Sequence, residues 1–346
     1  MSSPEIFNSQ NILGYSKLHA DLKLDIYYQE EFLNADAFLQ NCSYEIFVLR
    51  KESDLFIYPY LKKDVGHNCY DITSPYGYCG PYSTSENFFI QGEQAFLDYV
   101  QSEKKIVSEF IRYHPLYNAG GLMFKQQITN IRNRTLVMLD CKNNWRNIWE
   151  QQFSGTNRNL IRKLKNEKFV FEILDYERFR DEFIKLYFLT MQNVEAKDFY
   201  FFRESYFELL KSGLKEKLML TRVSLDDETY AMALFFISGD IVTYFLSARN
   251  IAHAKVPATN YLLSSMVEWA VNNGFSYLNL GGGITDGDND SLFKFKSNFS
   301  RKHLDFFIGK RIHRPDIYVK LAEEWIDKNG HEKYDCVKQM LQFYHD

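Results

Sequence analysis

The chain has 346 residues, a formal net charge of −4 and 45% hydrophobic residues. This is long enough for two domains with a sizeable core and too apolar for a disordered chain, and the acidic balance argues against nucleic acid as a default partner. The 30 Phe and 24 Tyr fit a phenylalanine-rich core, with tyrosines lining a polar ligand site as the sharper alternative.

The five cysteines, at 42, 69, 79, 141 and 336, show no CxxC and no Cys/His ligand spacing, so no metal is expected. The opening Met1-Ser-Ser-Pro-Glu lacks a basic, apolar signal pattern, and no apolar run approaches the ~20 residues that span a bilayer. The expectation is a cytoplasmic protein with free thiols.

In chain order, Tyr44–Arg50 and Leu55–Leu61 read as two strands joined by the polar turn Lys51-Glu-Ser-Asp. The segment 71–82, DITSPYGYCGPY, carries two prolines and two glycines, which predict an irregular loop. Tyr76, Tyr78 and Tyr82 sit on it, as a wall for a ring-shaped ligand or as packing against a sheet. Asn87–Glu103 reads as a helix, and Ile106–Tyr113 as a strand stopped by Pro115, with His114 at its end. Thr135–Leu139 reads as a further strand. Residues 156–168 predict a basic helix with Arg158, Arg162, Lys163 and Lys165 close in sequence and Leu160, Ile161 and Leu164 on an apolar face. It is either a solvated face or an anion site. Phe169–Leu174 predicts a strand and Arg178–Met191 a helix. The aromatic run before Arg203, with Tyr200 in it, can pack a base or sugar while Arg203 meets a phosphate, or can be core. Leu218–Val223 and Tyr230–Ile237 predict a hairpin through Asp226-Asp227.

The stretch 241–300 predicts strand, loop, helix, strand, glycine loop, helix. Ile241–Leu246 is the strand and Ser247–Val256 the loop. Pro257 opens a helix with Leu262, Leu263, Met266, Val267 and Ala270 at helical spacing, ended by Gly274. Phe275–Leu280 is the next strand, and a helix between two strands favours parallel pairing. Gly281-Gly282-Gly283 follows, as a phosphate cradle or only a tight exit from the strand. Asp288-Asn-Asp-Ser offers caps for a last helix with Phe293, Lys294, Phe295, Lys296 and Phe299. Helical spacing sets Lys296 beside the apolar stripe, with its stem buried and its ammonium at a cleft edge. Hairpin, helix and strand at 44–61, 88–103 and 106–113 recur as 217–237, 257–273 and 275–280. This predicts two related modules, divided between Asp140 and Ser154, and taken as residues 1–145 and 146–346.

SPYGYCGP (74–81), HP (114–115), TNRNLIRK (156–163), YFF (200–202), YFLSA (244–248), NYLL (260–263), LNLGGG (278–283) and DSLFKFKSNFS (290–300) together resemble the FemAB-type branch of the GNAT acyltransferase superfamily. The resemblance runs from about residue 40 to 318, and LGGG followed by LFKFK and FFIG is its most specific part. It implies an α/β (α+β) fold of two tandem GNAT-like domains, each a mixed, mostly antiparallel sheet flanked by helices, with a cleft between them. It implies transfer of an acyl group to an amine. Some members use aminoacyl-tRNA to build peptidoglycan cross-bridges. Others use acyl-CoA, including enzymes that acylate a nucleotide-linked amino sugar for surface polysaccharides. Two departures stand out. No insertion with heptads matches the helical arm common in the tRNA-dependent enzymes. The basic-glycine pyrophosphate loop of GNAT proteins is replaced by AHAKVPAT at 252–259.

The leading expectation is an acyl-CoA-dependent N-acyltransferase acting on a nucleotide-linked amino sugar. Its alternatives are an aminoacyl-tRNA-dependent cross-bridge transferase and a non-catalytic nucleotide- or polysaccharide-binding module. Asp198, His114 and Lys296 are the catalytic candidates. Tyr76, Tyr78, Tyr200, Arg203 and Arg158 are the substrate-binding candidates. Leu246, Ser247, Ala258, Thr259, Asn260, Gly281 and Gly282 are expected to hold the CoA co-substrate.

Overall fold

The structure is a computed structural model that describes residues 3–19, 22–287 and 289–345. Met1, Ser2 and Asp288, which the sequence reading used, lie outside the described residues. The elements in order are β1 (Glu5–Phe7), α1 (Leu13–His19), α2 (Glu30–Leu39), β2 (Ser43–Lys51), β3 (Asp54–Gly66), β4 (Cys69–Thr73), β5 (Tyr82–Ser83), α3 (Glu86–Glu103), β6 (Ile106–Arg112) and β7 (Thr129–Asp140). They continue with α4 (Trp145–Gln151), α5 (Gly155–Asn166), β8 (Val170–Leu174), α6 (Tyr176–Asn193), α7 (Glu204–Leu214), β9 (Leu218–Leu225), β10 (Glu228–Ser238) and β11 (Ile241–Arg249). The last are α8 (Ala258–Asn272), β12 (Tyr277–Gly282), α9 (Ser291–Ser297), β13 (His303–Ile312), α10 (Pro315–Asn329) and α11 (His331–Val337).

The chain forms two units. One holds residues 27–133, the described part of 1–21, and 305 onward; the other holds 22–26 and 134–304. A single cut near residue 145 does not describe this division. The reason is strand pairing: Ile308–Ile312 of β13 run antiparallel to Ser108–Arg112 of β6, which returns the C-terminal segment to the first unit. Likewise Ser238 donates its hydroxyl to the Leu24 carbonyl at 3.1 Å, which ties residues 22–26 to the second.

In the first unit, β2, β3 and β4 form an antiparallel meander. The helix α3 then crosses over, and β6 pairs parallel with β4. The Ser85 side chain caps α3, and its core face carries Phe88, Phe89, Phe96 and Val100, all buried. These rings pack with Phe47, Phe56, Tyr58 and Phe124, so the phenylalanine excess is largely core. Asp71, Ile72 and Thr73 belong to β4, so the irregular loop begins only at Ser74. A strand edge on β3 was available to them, and the proline and glycine signals start further on.

The second unit repeats the order. The strands β9, β10 and β11 are antiparallel, and the β9–β10 turn places Asp226 and Asp227 at φ 49° and 64°, as a two-residue hairpin requires. The helix α8 crosses over, and β12 pairs parallel with β11. Leu262, Leu263, Met266, Val267 and Ala270 of α8 are buried against Val242, Leu278 and Leu280. Gly274, at φ 78°, ends the helix in the left-handed conformation. Two local expectations shift. Pro257 occupies the cap position, one residue before the helix. Leu160 is exposed while Ile161 and Leu164 are buried, because the buried stripe of this helix runs along Asn157, Ile161 and Leu164 and Leu160 stands at its edge.

Candidate functional site

The second unit contains an opening built by strand geometry. The parallel ladder between β11 and β12 covers Ile241–Thr243 against Tyr277–Asn279 and stops there. Yet β11 runs on to Arg249 and β12 to Gly282. The two strands therefore part after Thr243 and Asn279, and their facing backbone groups have no strand partner in the gap among the described residues. Such groups must be met by side chains, by solvent or by a ligand. A bulge sits at the parting. Leu234 of β10 pairs with Leu246 and Phe235 with Tyr244, so Phe245 is an extra residue. A bulge of this kind bends its strand and re-aims its side chains.

Lys296 lies at this fork. Its ammonium donates to the Gly282 carbonyl of β12 at 2.8 Å and stands 5.9 Å from the centre of the Tyr244 ring of β11. The side chain is buried, 8% exposed. Its stem is sheltered as expected, but the ammonium is drawn inward to a carbonyl instead of standing at an edge. Burial pushes its pKa down to about 7; Asp290 opposes that shift and Arg134 adds to it. Arg134 itself donates to the Gly283 carbonyl at 2.8 Å. Tyr244 is pushed up to about 12 by burial, with a hydrogen bond to Ser247 opposing.

The glycine loop leads into a segment held by a carboxylate, that of Asp290, just beyond Gly281 and Gly282. Asp290 accepts from the Ile284 and Thr285 backbone N–H groups through one oxygen and from the Phe293 N–H through the other, each at 2.8 Å. Burial alone would raise the Asp290 pKa, but the bonds from Thr285, Phe293 and Ile284 outweigh it and hold the carboxyl below the usual range. The N–H of Gly281 is taken by the Asn279 side chain at 2.8 Å. A negative charge thus already fills the place an anion would take. The glycines serve close approach: a Cβ on Gly283 would stand 2.4 Å from an Asp290 oxygen, and one on Gly282 2.9 Å from the Thr135 carbonyl.

Among the other donor-side candidates, Leu246 is buried and Ser247 pairs with Ala233. The helix α8 begins without a side-chain cap among the described residues; the Ala258 and Asn260 N–H groups turn back to the Val256 and Pro257 carbonyls. Thr259 is half-buried there. Ala258 is a core residue, 2% exposed. Asn260 donates its side-chain amide to Asn157 at 2.8 Å, a bond between α8 and α5.

Several predicted residues have structural duties instead. Arg158 donates to the carbonyls of Trp149, Glu150 and Phe153, so it caps the end of α4. In the first unit His114 is buried, its Nδ1 accepts the N–H groups of Leu116 and Tyr117 at 3.3 and 3.2 Å, and its ring stacks on Tyr117. With that lone pair engaged by two donors, His114 organises its own turn. Asp198 and Tyr200 are exposed in a short 3₁₀ turn, and Arg203 is exposed at the cap position of α7. Tyr78 packs edgewise on Tyr27 and Phe306, while Tyr76 is held through its backbone N–H by Asp36 at 2.8 Å. Sequence reasoning missed Asp290 as the group that closes the glycine loop. Its signal was an Asp three residues before a Phe at a helix start, an N-cap spacing. The fork and the bulge left no sequence signal, because both are matters of register.

Residues 152–296 match the model of the acetyltransferase (GNAT) domain, a span that holds α8, the fork and Lys296. The fold is similar to that of FemX, at 14% identity and a TM-score of 0.69, covering 92% of this chain and 99% of that one. It is also similar to a conserved protein of unknown function from Bacteroides thetaiotaomicron VPI-5482 (10% identity, TM-score 0.58, 89% and 100% covered). A third similar structure is L-PGS from Bacillus licheniformis (13% identity, TM-score 0.57, 88% and 94% covered). No curated protein matches the chain. Residues 152–296 are thus similar to a GNAT acetyltransferase domain, and the chain is an acyltransferase.

Proposed function

We propose that the protein moves an acyl group from acyl-CoA to the amine of a nucleotide-linked amino sugar, in the cytoplasm, for surface polysaccharide synthesis. The observation that carries this reading is the buried Lys296 ammonium at the fork of β11 and β12. A thioester carbonyl under attack by an amine gains negative charge on oxygen. A desolvated cation and strand N–H groups at the fork stabilise that charge more strongly than water does. The uncapped start of α8, at Thr259, suits the pyrophosphate of the donor. Laying donor and acceptor side by side supplies much of the rate. The attacking amine must lose a proton, and Asp198, exposed beside Tyr200 and Arg203, is the remaining carboxylate candidate for that step. The loop of Tyr76 and Tyr78 is proposed to hold the acceptor.

A second reading keeps the transfer and takes aminoacyl-tRNA as donor. The likeness of fold to FemX over 92% of the chain fits it as well as it fits the first. Native mass spectrometry of the purified protein for retained CoA, followed by label transfer from acetyl-CoA and from aminoacyl-tRNA to a UDP-linked amino sugar, separates the two. Transfer from aminoacyl-tRNA alone would overturn the acyl-CoA reading.

A further inference from the structure

Thr243 is the last residue of β11 that pairs with β12. It is 3% exposed, and its hydroxyl has no hydrogen-bond partner among the described residues. A buried hydroxyl left unpaired costs stability, and a valine of the same shape would not carry that cost. The residue facing it, Asn279, is also buried and uses its carbonyl oxygen on the Gly281 N–H. Thr243, which carries the orphan hydroxyl, is therefore the residue at which the ladder ends and the opening begins.

From Thr243 to Arg249 β11 advances by six residues, about 20 Å at ~3.3 Å each. A donor with its phosphate end at the start of α8 and its arm laid back along β11 brings its acyl end toward Thr243. We propose that Thr243 selects the acyl group: the enzyme prefers an acyl chain bearing a hydrogen-bonding substituent, such as a hydroxyl, over an aliphatic chain of equal length. This inference rests on the acyl-CoA reading above. A site with a buried hydrogen-bonding group discriminates strongly against a partner that leaves it unpaired.

The test is calorimetric titration of the full chain with 3-hydroxybutyryl-CoA and with butyryl-CoA, for the parent, Thr243→Val and Thr243→Ser. The expected result is at least tenfold tighter binding of the hydroxylated thioester by the parent, a ratio near one for Thr243→Val, and recovery of the preference in Thr243→Ser. Equal affinities in the parent, or an unchanged ratio in Thr243→Val, overturn this inference alone. Binding of neither thioester by the parent overturns the acyl-CoA reading and this inference with it. The valine variant conserves volume, and its melting temperature, expected at or above that of the parent, verifies that it is folded.

Discussion

Lys296 and Gly282 are joined by an ammonium-to-carbonyl bond of 2.8 Å, so the one buried lysine of α9 is anchored to the end of β12 and not to a carboxylate. An ammonium so placed is costly to keep charged. Its pKa is about 7 in the folded protein against 10.5 for the free side chain. Between those values the unfolded chain binds more protons than the folded one, so stability rises with pH across that window and the cost is fully present below it. Lys296→Met removes the cost but leaves the Gly282 carbonyl without its donor. The variant is expected to be more stable than the parent at pH 6 by roughly 1–3 kcal/mol, with the gap closing as pH approaches 10. Urea unfolding of both proteins across this range measures it. A constant gap at all pH values would mean that the folded state does not disfavour the charge.

The same substitution should damage catalysis while it stabilises the fold. With the cation gone, kcat/KM is expected to fall at least tenfold, about 1.4 kcal/mol of transition-state stabilisation. Lys294 is exposed and donates to the Asn289 side chain at 2.9 Å, so Lys294→Met should stay near the parent. Equal activity of the two variants would remove Lys296 from the site.

The periodic parts of the chain were legible before any coordinates. The face of α8 from Leu262 to Ala270, the Gly274 stop and the parallel return at β12 followed from spacing, because each is decided within about 25 residues. What escaped depends on distant partners. The return of Ile308–Ile312 to β6 crosses some 200 residues of sequence, and nothing local encodes it. The bulge at Phe245 and the fork after Thr243 are registers, set by which residues β10 and β12 present. Arg158 looked like an anion ligand because its charge is visible in sequence and the carbonyls it caps are not.

The start of α8 gives a prediction that the structure sharpens. Ala258 and Thr259 are adjacent, but only Ala258 is core, at 2% exposed. Ala258→Asp buries a charge against Leu262 and its neighbours and should fail to fold. Thr259→Asp should fold with little change in melting and raise the acyl-CoA KM about tenfold, since it sets a negative charge at the helix end offered to pyrophosphate. Steady-state kinetics with varied donor reads this directly, and an unchanged KM would send the donor elsewhere.

Asp290 should act on the glycine loop as a clasp. Asp290→Ala removes the acceptor for Ile284, Thr285 and Phe293 at once, which is expected to cost about 1–2 kcal/mol as a lost cap. Amide exchange at residues 284, 285 and 293 should quicken by a factor of ten or more, while exchange in β9 and β10 stays as it was. Uniform quickening would place the effect in global unfolding.

The two tyrosines of the loop are expected to respond differently to truncation. Tyr78 meets Tyr27 at 5.7 Å and Phe306 at 5.0 Å between ring centres, both edge-on. Tyr78→Ala breaks these contacts and opens a cavity, so a loss of about 2–4 kcal/mol is expected. Tyr76 is tied to Asp36 through its backbone N–H, a bond that alanine retains. Asp36 is buried, and burial lifts its pKa to about 6 against the opposing bond from Tyr76. Its pKa thus stands above the ordinary value of 3.8, so by linkage its cost to the folded state grows as pH rises from 3.8 to about 6, is fully present above that and is absent below 3.8. Tyr76→Ala should leave both the melting temperature and this pH dependence in place. With a UDP-linked amino sugar as acceptor, it should raise the acceptor KM at least fivefold and the donor KM by less than twofold. Should Tyr76→Ala instead melt as early as Tyr78→Ala, the loop is a structural wall, and the acceptor is recognised by other residues.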